Sequence, residues 1–258
     1  FLMNKHDTVG QCLVNHCVND ILTSGAKPLF FLDYFATGKL YPEVAFQVVS
    51  GFVEACRNNE CVLIGGETAE MPSFYDDGEY DISGTIVGVV EKDKIINGKK
   101  IQRGDVLIGL KSNGLHTNGY SLARAVLLER FSLDDYFPEL NSTLGEELLR
   151  VHKSYLRIVT PLLKEDLING ISHITGGGII GNSIRILPEG LALKIDWGAW
   201  EIPFIFELIK QEGNISDEEM RRVFNLGIGL VLVTKPELAD KVVEKLGSEE
   251  FFFIGEVV

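Results

Sequence analysis

The feature that most constrains this chain is where its glycines fall. Three clusters follow apolar runs. Gly65-Gly66-Glu67-Thr68-Ala69-Glu70 follows Cys61–Ile64, Ser112-Asn113-Gly114-Leu115-His116-Thr117-Asn118-Gly119-Tyr120 follows Asp105–Leu110, and Gly176-Gly177-Gly178 closes the run that starts at Ile171. Glycine adopts positive φ freely and lets other atoms come close to the backbone, so such a cluster reads as a purpose-built loop at a strand end. The chain has 27 glycines but 8 prolines in 258 residues, and 45% of it is hydrophobic. That balance excludes a disordered Gly/Pro tract and supplies enough apolar material for a core.

Strand and helix patterns alternate between the clusters. Val9, Cys12, Leu13, Cys17, Ile21 and Leu22 have helical spacing over His6–Ser24, and Gly25 is placed to end that helix. Leu29–Tyr34 reads as a buried strand, Glu43–Asn59 as a helix with Pro42 near its first turn, and Tyr80–Glu91 as another strand. Lys92–Arg103 is polar and holds the turn signal Asn97-Gly98. A boundary there divides the chain into residues 1–96 and 97–258. Beyond it, strands are expected at Asp105–Leu110, Ile171–Thr175, Leu191–Ile195, Leu226–Val233 and Phe251–Val257, with helices between them. Ser216 with Glu219 three residues later predicts a capping box. The spacing lacks the regular βαβ repeat of a dinucleotide fold. The expected class is α/β or α+β, in two parts.

A net charge of −13 argues against a general nucleic-acid binder and against a polybasic membrane-surface protein. No apolar run reaches the ~18 residues of a membrane span, and no secretory signal pattern is present. Cys12, Cys17, Cys56 and Cys61 lack zinc-finger spacing and read as buried free thiols, as in a reducing cytoplasm. The first residue is Phe1, which predicts that the natural N-terminus lies further upstream.

The triple glycine before a helix is a candidate phosphate cradle, or else a turn that needs positive φ. No P-loop is present. Asp20, Glu67 and Glu70, with Asp33, are carboxylates that could hold magnesium, which favours oxygen ligands, or could serve as caps and ion pairs. His116 in its Gly/Asn loop is the best general acid/base candidate, with a backbone-bonded loop histidine as the alternative. His173 could orient the triple-glycine loop, and His16 is as easily explained by packing.

These strings also carry a resemblance. Asn19-Asp20-Ile-Leu, then Gly-Ala-x-Pro-Leu-Phe-Phe-Leu-Asp33-Tyr, Gly65-Gly-Glu-Thr-Ala-Glu-Met-Pro72, Gly114-Leu-His-Thr-Asn-Gly-Tyr-Ser-Leu122, His173-Ile-Thr-Gly-Gly-Gly178 and Phe224-Asn-Leu-Gly-Ile-Gly229 occur in this order. The set resembles the phosphoribosylformylglycinamidine cyclo-ligases of purine biosynthesis, across essentially the whole chain. The resemblance implies a two-domain cytoplasmic homodimer whose N-terminal halves pair into a shared β-barrel. It implies ATP and formylglycinamidine ribonucleotide as substrates, with Mg²⁺ as cofactor and K⁺ left open as a second cation. Neither nucleic acid nor membrane is an expected partner. By position it assigns Asp20 and Glu67 to metal, and Asn19, Asp20, Glu67, Gly65, Gly66, Gly176, Gly177 and Gly178 to nucleotide or substrate phosphate. His116, Asn118 and Glu70 become the catalytic set, with His116 moving a proton.

The departures are Cys12, where many members have Asp, Gly181-Asn182, where Glu-Asn is common, and the lack of an Asp-Gly-Val-Gly-Thr-Lys segment. That last departure predicts weak activity for these 258 residues alone. A related ATP-using kinase or phosphotransferase, and a non-catalytic dimerising fragment, are the competing expectations.

Overall fold

The computed structural model describes all 258 residues. Its first part runs α1 (Asp7–Leu22), β1 (Lys27–Thr37), α2 (Pro42–Asn58), β2 (Val62–Glu70) and β3 (Tyr80–Val89). β1 is the middle strand of a three-stranded sheet, parallel to β2 and antiparallel to β3. β3 alternates along its length: Ile82 and Ile86 pack into the core, while Ser83, Thr85 and Val87 face outward. That alternation is what a sheet with one covered face requires. α1 and α2 supply the cover through Val14, Val18, Val48 and Phe52, which meet Phe31 and Phe35 of β1.

The second part runs β4 (Val106–Lys111), α3 (Tyr120–Leu127), β5 (Tyr136–Phe137), β6 (Ser142–Thr143), α4 (Leu144–Leu148), α5 (Leu156–Lys164) and β7 (Gly170–His173). It continues with α6 (Gly178–Ser183), β8 (Leu193–Ile195), α7 (Phe204–Gly213), α8 (Asp217–Val223), β9 (Ile228–Thr234), α9 (Ala239–Leu246) and β10 (Phe251–Val257). The main sheet has the order β7-β9-β4-β10-β8, and every pairing in it is antiparallel. Of the two class names the sequence left open, α+β therefore describes this half. β9 is buried at all seven positions because both of its faces are covered. On one face Leu230 and Leu232 meet Val159 and Leu162 of α5 and Val242 of α9; on the other, Val231 and Val233 join Leu107, Ile174 and Trp200.

Two local expectations change. The Gly65–Glu70 segment is strand, not loop: β2 carries on through the glycines, paired to Leu32–Thr37 of β1. Ser216 does cap α8, accepting from Glu219 N at 3.3 Å, but the Glu219 carboxylate binds Arg222 instead of turning back. The reciprocal box forms at Thr143 and Glu146. The β5–β6 ladder, two residues on each side, had no sequence signal.

The two parts share a core. The apolar cluster around Val14, Val18 and Phe52 runs on without a break into Tyr155, Val159, Leu230 and Leu232. Within the first part, α1 and α2 cross at glycines. A Cβ on Gly10 would overlap the carbonyl of Val48, and a Cβ on Gly51 would overlap the carbonyl of Asp7. Backbone against backbone cannot yield as a side chain can. We expect Gly51→Ala to lower folding stability by about 1–3 kcal/mol, read as a lower urea midpoint. Gly181→Ala is the control, because a Cβ there meets nothing within 4 Å.

Candidate active site

α1 presents a polar stripe to the second part of the chain. Asn19 is fully buried on it. Its Oδ1 accepts from Tyr155 N at 2.9 Å, and its Nδ2 donates to Lys153 O at 2.8 Å and approaches His152 Nε2 at 3.2 Å. One turn earlier, Asn15 donates to His152 O at 2.7 Å and accepts from Asn59 Nδ2 at 2.7 Å. These buried amides, and not the backbone of α1, make the polar seam between the two parts.

Four histidines gather at this seam. His116 and His152 stack with centroids 4.0 Å apart, and His16 and His173 stand edge-on to His152 at 5.5 and 5.2 Å. His173 Nδ1 lies 2.7 Å from Asp20 Oδ1, and His16 Nε2 lies 3.4 Å from Asp20 Oδ2. Thr117 Oγ1 sits between His16 Nδ1 at 2.9 Å and His152 Nδ1 at 3.4 Å. Burial holds His16, His152 and His116 below the ordinary imidazole range, and His116 falls to about 3. The imidazoles bonded to Asp20 keep its carboxyl low despite partial burial, which by itself raises it.

His116 sits in the loop between β4 and α3 with a left-handed backbone, φ +58°. Its Nε2 accepts from Asn113 N at 2.9 Å. The ring proton of the neutral imidazole is therefore on Nδ1, which is buried and has no partner. Asn118 Nδ2, two residues on, is also buried without a partner. Orphaned buried donors are rare in folded proteins, and two in one loop mark a place built to receive an acceptor. Gly229 makes room for this loop: a Cβ there would overlap the Tyr155 hydroxyl and stand 2.5 Å from His116 Cε1.

The structure unites some of the expected site residues and separates others. Asp20, His116 and His173 meet at the seam, and Asn118 reaches the glycine loop, where a Cβ on Gly176 would lie 3.3 Å from Asn118 Oδ1. Asn19 is there too, but its hydrogen bonds all end inside the protein, which leaves it little capacity for a nucleotide. Glu67 lies exposed on β2, with no hydrogen bond or ion pair to Asp20. Glu70 accepts from Leu40 N at 3.2 Å and so ties down the turn after β1.

Gly65 meets nothing, whereas Gly66 makes room for Asp33, whose carbonyl a Cβ would overlap. The triple glycine is not an open nest: Gly177 N donates to Arg222 O and Gly178 N to Thr175 O. Gly178 is required by its approach to the Arg221 carbonyl, and Asn182 ties the loop by donating to Gly178 O at 2.8 Å. α6 behind it has six residues, too short for a strong dipole.

His152, at the centre of the cluster, was not singled out from the sequence; one histidine in Arg-Val-His-Lys-Ser has no motif around it. Tyr155 escaped for the same reason, and Thr117, though inside the quoted Gly114–Leu122 string, was given no role. The four cysteines are unpaired as expected, but Cys12 and Cys17 are only half-buried. Cys12 Sγ accepts from His152 N at 3.3 Å.

Comparison with known proteins gives the family. Residues 1–90 match the family described as AIR synthase related protein, N-terminal domain, and residues 102–258 match its C-terminal domain. A phosphoribosylformylglycinamidine cyclo-ligase of Thermoanaerobacter pseudethanolicus is 53% identical over 262 aligned positions, covering all of this chain and 78% of that protein. The chain belongs to the phosphoribosylformylglycinamidine cyclo-ligase family. A chloroplastic/mitochondrial cyclo-ligase of Vigna unguiculata is 52% identical, covering 98% of this chain and 66% of that protein.

The fold reaches further than the family. The hydrogenase maturation protein HypE superposes with TM-score 0.73 at 20% identity, over 96% of this chain and 74% of that one. Thiamine monophosphate kinase of Aquifex aeolicus superposes with TM-score 0.70 at 18% identity, over 100% of this chain and 80% of that one.

Within this family frame Asn19 is read here as a staple and not as a ligand. Asn19→Ala would strand Tyr155 N and Lys153 O, each costing about 1–3 kcal/mol when buried. We expect a lower urea midpoint with nucleotide affinity unchanged in the folded protein. An unchanged midpoint with lost affinity would return Asn19 to the binding set.

Proposed function

We propose that this chain closes the imidazole ring of formylglycinamidine ribonucleotide with the consumption of ATP. The observation that carries this reading is the 53% identity over the whole chain to a named cyclo-ligase. In this reaction the amide oxygen takes the γ-phosphoryl group of ATP and ADP leaves. The amidine nitrogen then attacks the activated carbon, the C–O bond breaks, inorganic phosphate departs and one proton is lost. Activation is needed because an amide oxygen is a poor leaving group.

The role of His116 is where the geometry changes the expectation. A ring with its lone pair on Asn113 N–H and a depressed pKa is a poor proton carrier near neutrality. As a fixed N–H donor it suits an oxygen that gains charge, and a buried, pre-oriented donor is effective there. His116 Nδ1–H and Asn118 Nδ2–H would hold the amide or phosphoryl oxygen, and Gly176 would leave space beside them.

Magnesium would shield the phosphates of bound ATP. Glu67 suits it, with an exposed carboxylate free of other bonds, whereas Asp20 would offer only Oδ2, since Oδ1 is held by His173. Residues 1–96 would form the ATP-side unit and 97–258 the remainder.

A homodimer follows from the same reading, and the outer face of the three-stranded sheet supports it. Val62, Ile64, Val87 and Val89 stand exposed on that sheet. Soluble monomers seldom leave such a surface open. We expect Val87→Glu to shift the mass measured by light scattering from dimer towards monomer; a wild-type monomer would refute the pairing.

The chemistry is tested by ADP formation that depends on formylglycinamidine ribonucleotide, with aminoimidazole as product. Turnover of a different acceptor in its place would favour a kinase-like relative. His116→Ala should lower kcat by about 10²–10³, leaving the shape of the wild-type pH–rate profile between neutral and mildly acidic pH free of any limb that the substitution removes. Such a limb would restore the proton-carrier role.

A further inference from the structure

We propose that His16, His152 and His173 form a binding site for a divalent transition metal, zinc(II) by ligand preference, that clamps α1 to the second part of the chain. Each ring offers one nitrogen, and the three nitrogens lie within 4.8 Å of one another. They come from three separate places: α1, the segment before α5, and the end of β7.

Two further observations point to a cation here. The first is orientation. Asp20 Oδ1 lies 2.7 Å from His173 Nδ1. A carboxylate on the far nitrogen of a histidine is the arrangement that fixes the tautomer and strengthens the other nitrogen as a ligand.

The second is the meeting of two ring nitrogens. His152 Nε2 and His173 Nε2 lie 3.1 Å apart, within hydrogen-bond distance, with no other atom between them and one proton at most to share. A cation bound by both nitrogens takes the place of that proton, which then sits on the far nitrogen of the donor ring; for His152 that is Nδ1, beside Thr117 Oγ1 at 3.4 Å.

Size and chemistry agree. Zinc–imidazole bonds of about 2.0–2.1 Å in a tetrahedron set neighbouring nitrogens about 3.3 Å apart. The His152–His173 pair already has nearly that spacing. His16, whose side chain is 28% exposed, has freedom to swing in. When His16 Nδ1 donates to Thr117 Oγ1, 2.9 Å away, its Nε2 becomes the ligand atom. Three neutral nitrogen donors select zinc, copper or nickel over magnesium, which prefers oxygen. The fourth position would be filled by water.

The test is calorimetric titration of the protein with zinc chloride near neutral pH, with melting temperature followed in parallel. We expect one saturable site, a higher melting temperature in zinc, and affinity at least ~10-fold weaker in His16→Gln and His152→Gln. If His152→Gln does not fold, His16→Gln carries the test, because its ring is partly exposed and its loss leaves the seam bonds of Asn19 in place. Cobalt(II) should give the intense visible absorption of a four-coordinate centre, reduced in His16→Gln. The proposal is overturned by an absence of saturable zinc binding, which would leave an ordinary hydrogen bond between the two rings. It is equally overturned if binding is unchanged in His16→Gln yet abolished by Cys12→Ser with Cys17→Ser, or if magnesium displaces zinc at equal concentration.

Discussion

A single buried amide sets the relation between the two parts of this chain. Asn19 projects from the last turn of α1 into the buried seam, so its side chain must find its partners in the second part of the chain. Its acceptor takes Tyr155 N and its donor takes Lys153 O. The alternative to these bonds is a stranded amide and two stranded backbone groups in a dry interior, which is far worse than any gain from a looser seam. Asn15 repeats the arrangement one turn earlier with His152 O. Together they fix the height and rotation of α1 against the main sheet. Asp20, the next residue along, is thereby aimed at His173, which it meets at 2.7 Å.

Much of the fold was legible in the sequence because its signals are local. α1, α2 and the strands β1, β3, β4, β9 and β10 each have the period or the continuous apolar run that their burial demands. The misreadings share a cause. Gly65-Gly66 looked like a loop because glycine usually interrupts a strand. Here the strand carries on, since Gly66 lies against Asp33 on the neighbouring strand and a side chain would not fit. The Ser216 box failed because Arg222 lies one turn from Glu219 and competes for its carboxylate. In both cases a partner that was not visible in the local pattern decided the outcome.

The candidate site divides in the same way. His116, Asn118 and the glycine loop were found because their strings are distinctive. His152 was not, although it touches more of the cluster than any other ring. Its importance comes from position alone: it arrives at the seam from the segment before α5 and meets rings from α1, β7 and the β4–α3 loop. Asn19 was noticed as a ligand candidate, and its side chain bonds into the protein; a polar residue on a helix can face a ligand or another part of the protein, and one sequence carries no sign of which.

The crowding of imidazoles also bears on the proton-carrying role first expected of His116. A histidine that carries protons near neutrality needs either water or a carboxylate close by. His116 is buried, it stacks on a second imidazole, and its one lone pair is taken by backbone. The only carboxylate in the cluster, Asp20, is bonded to His173 instead. The fold thus places charge on the α1 side of the seam and a neutral, rigid donor on the loop side. An amide oxygen that is about to bear a phosphoryl group gains from the second kind of partner, because a donor that never changes its protonation state needs no rearrangement as charge develops. On this view Gly229 matters as much as the histidine itself, since it is the missing side chain on β9 that lets the ring and Tyr155 lie where they do.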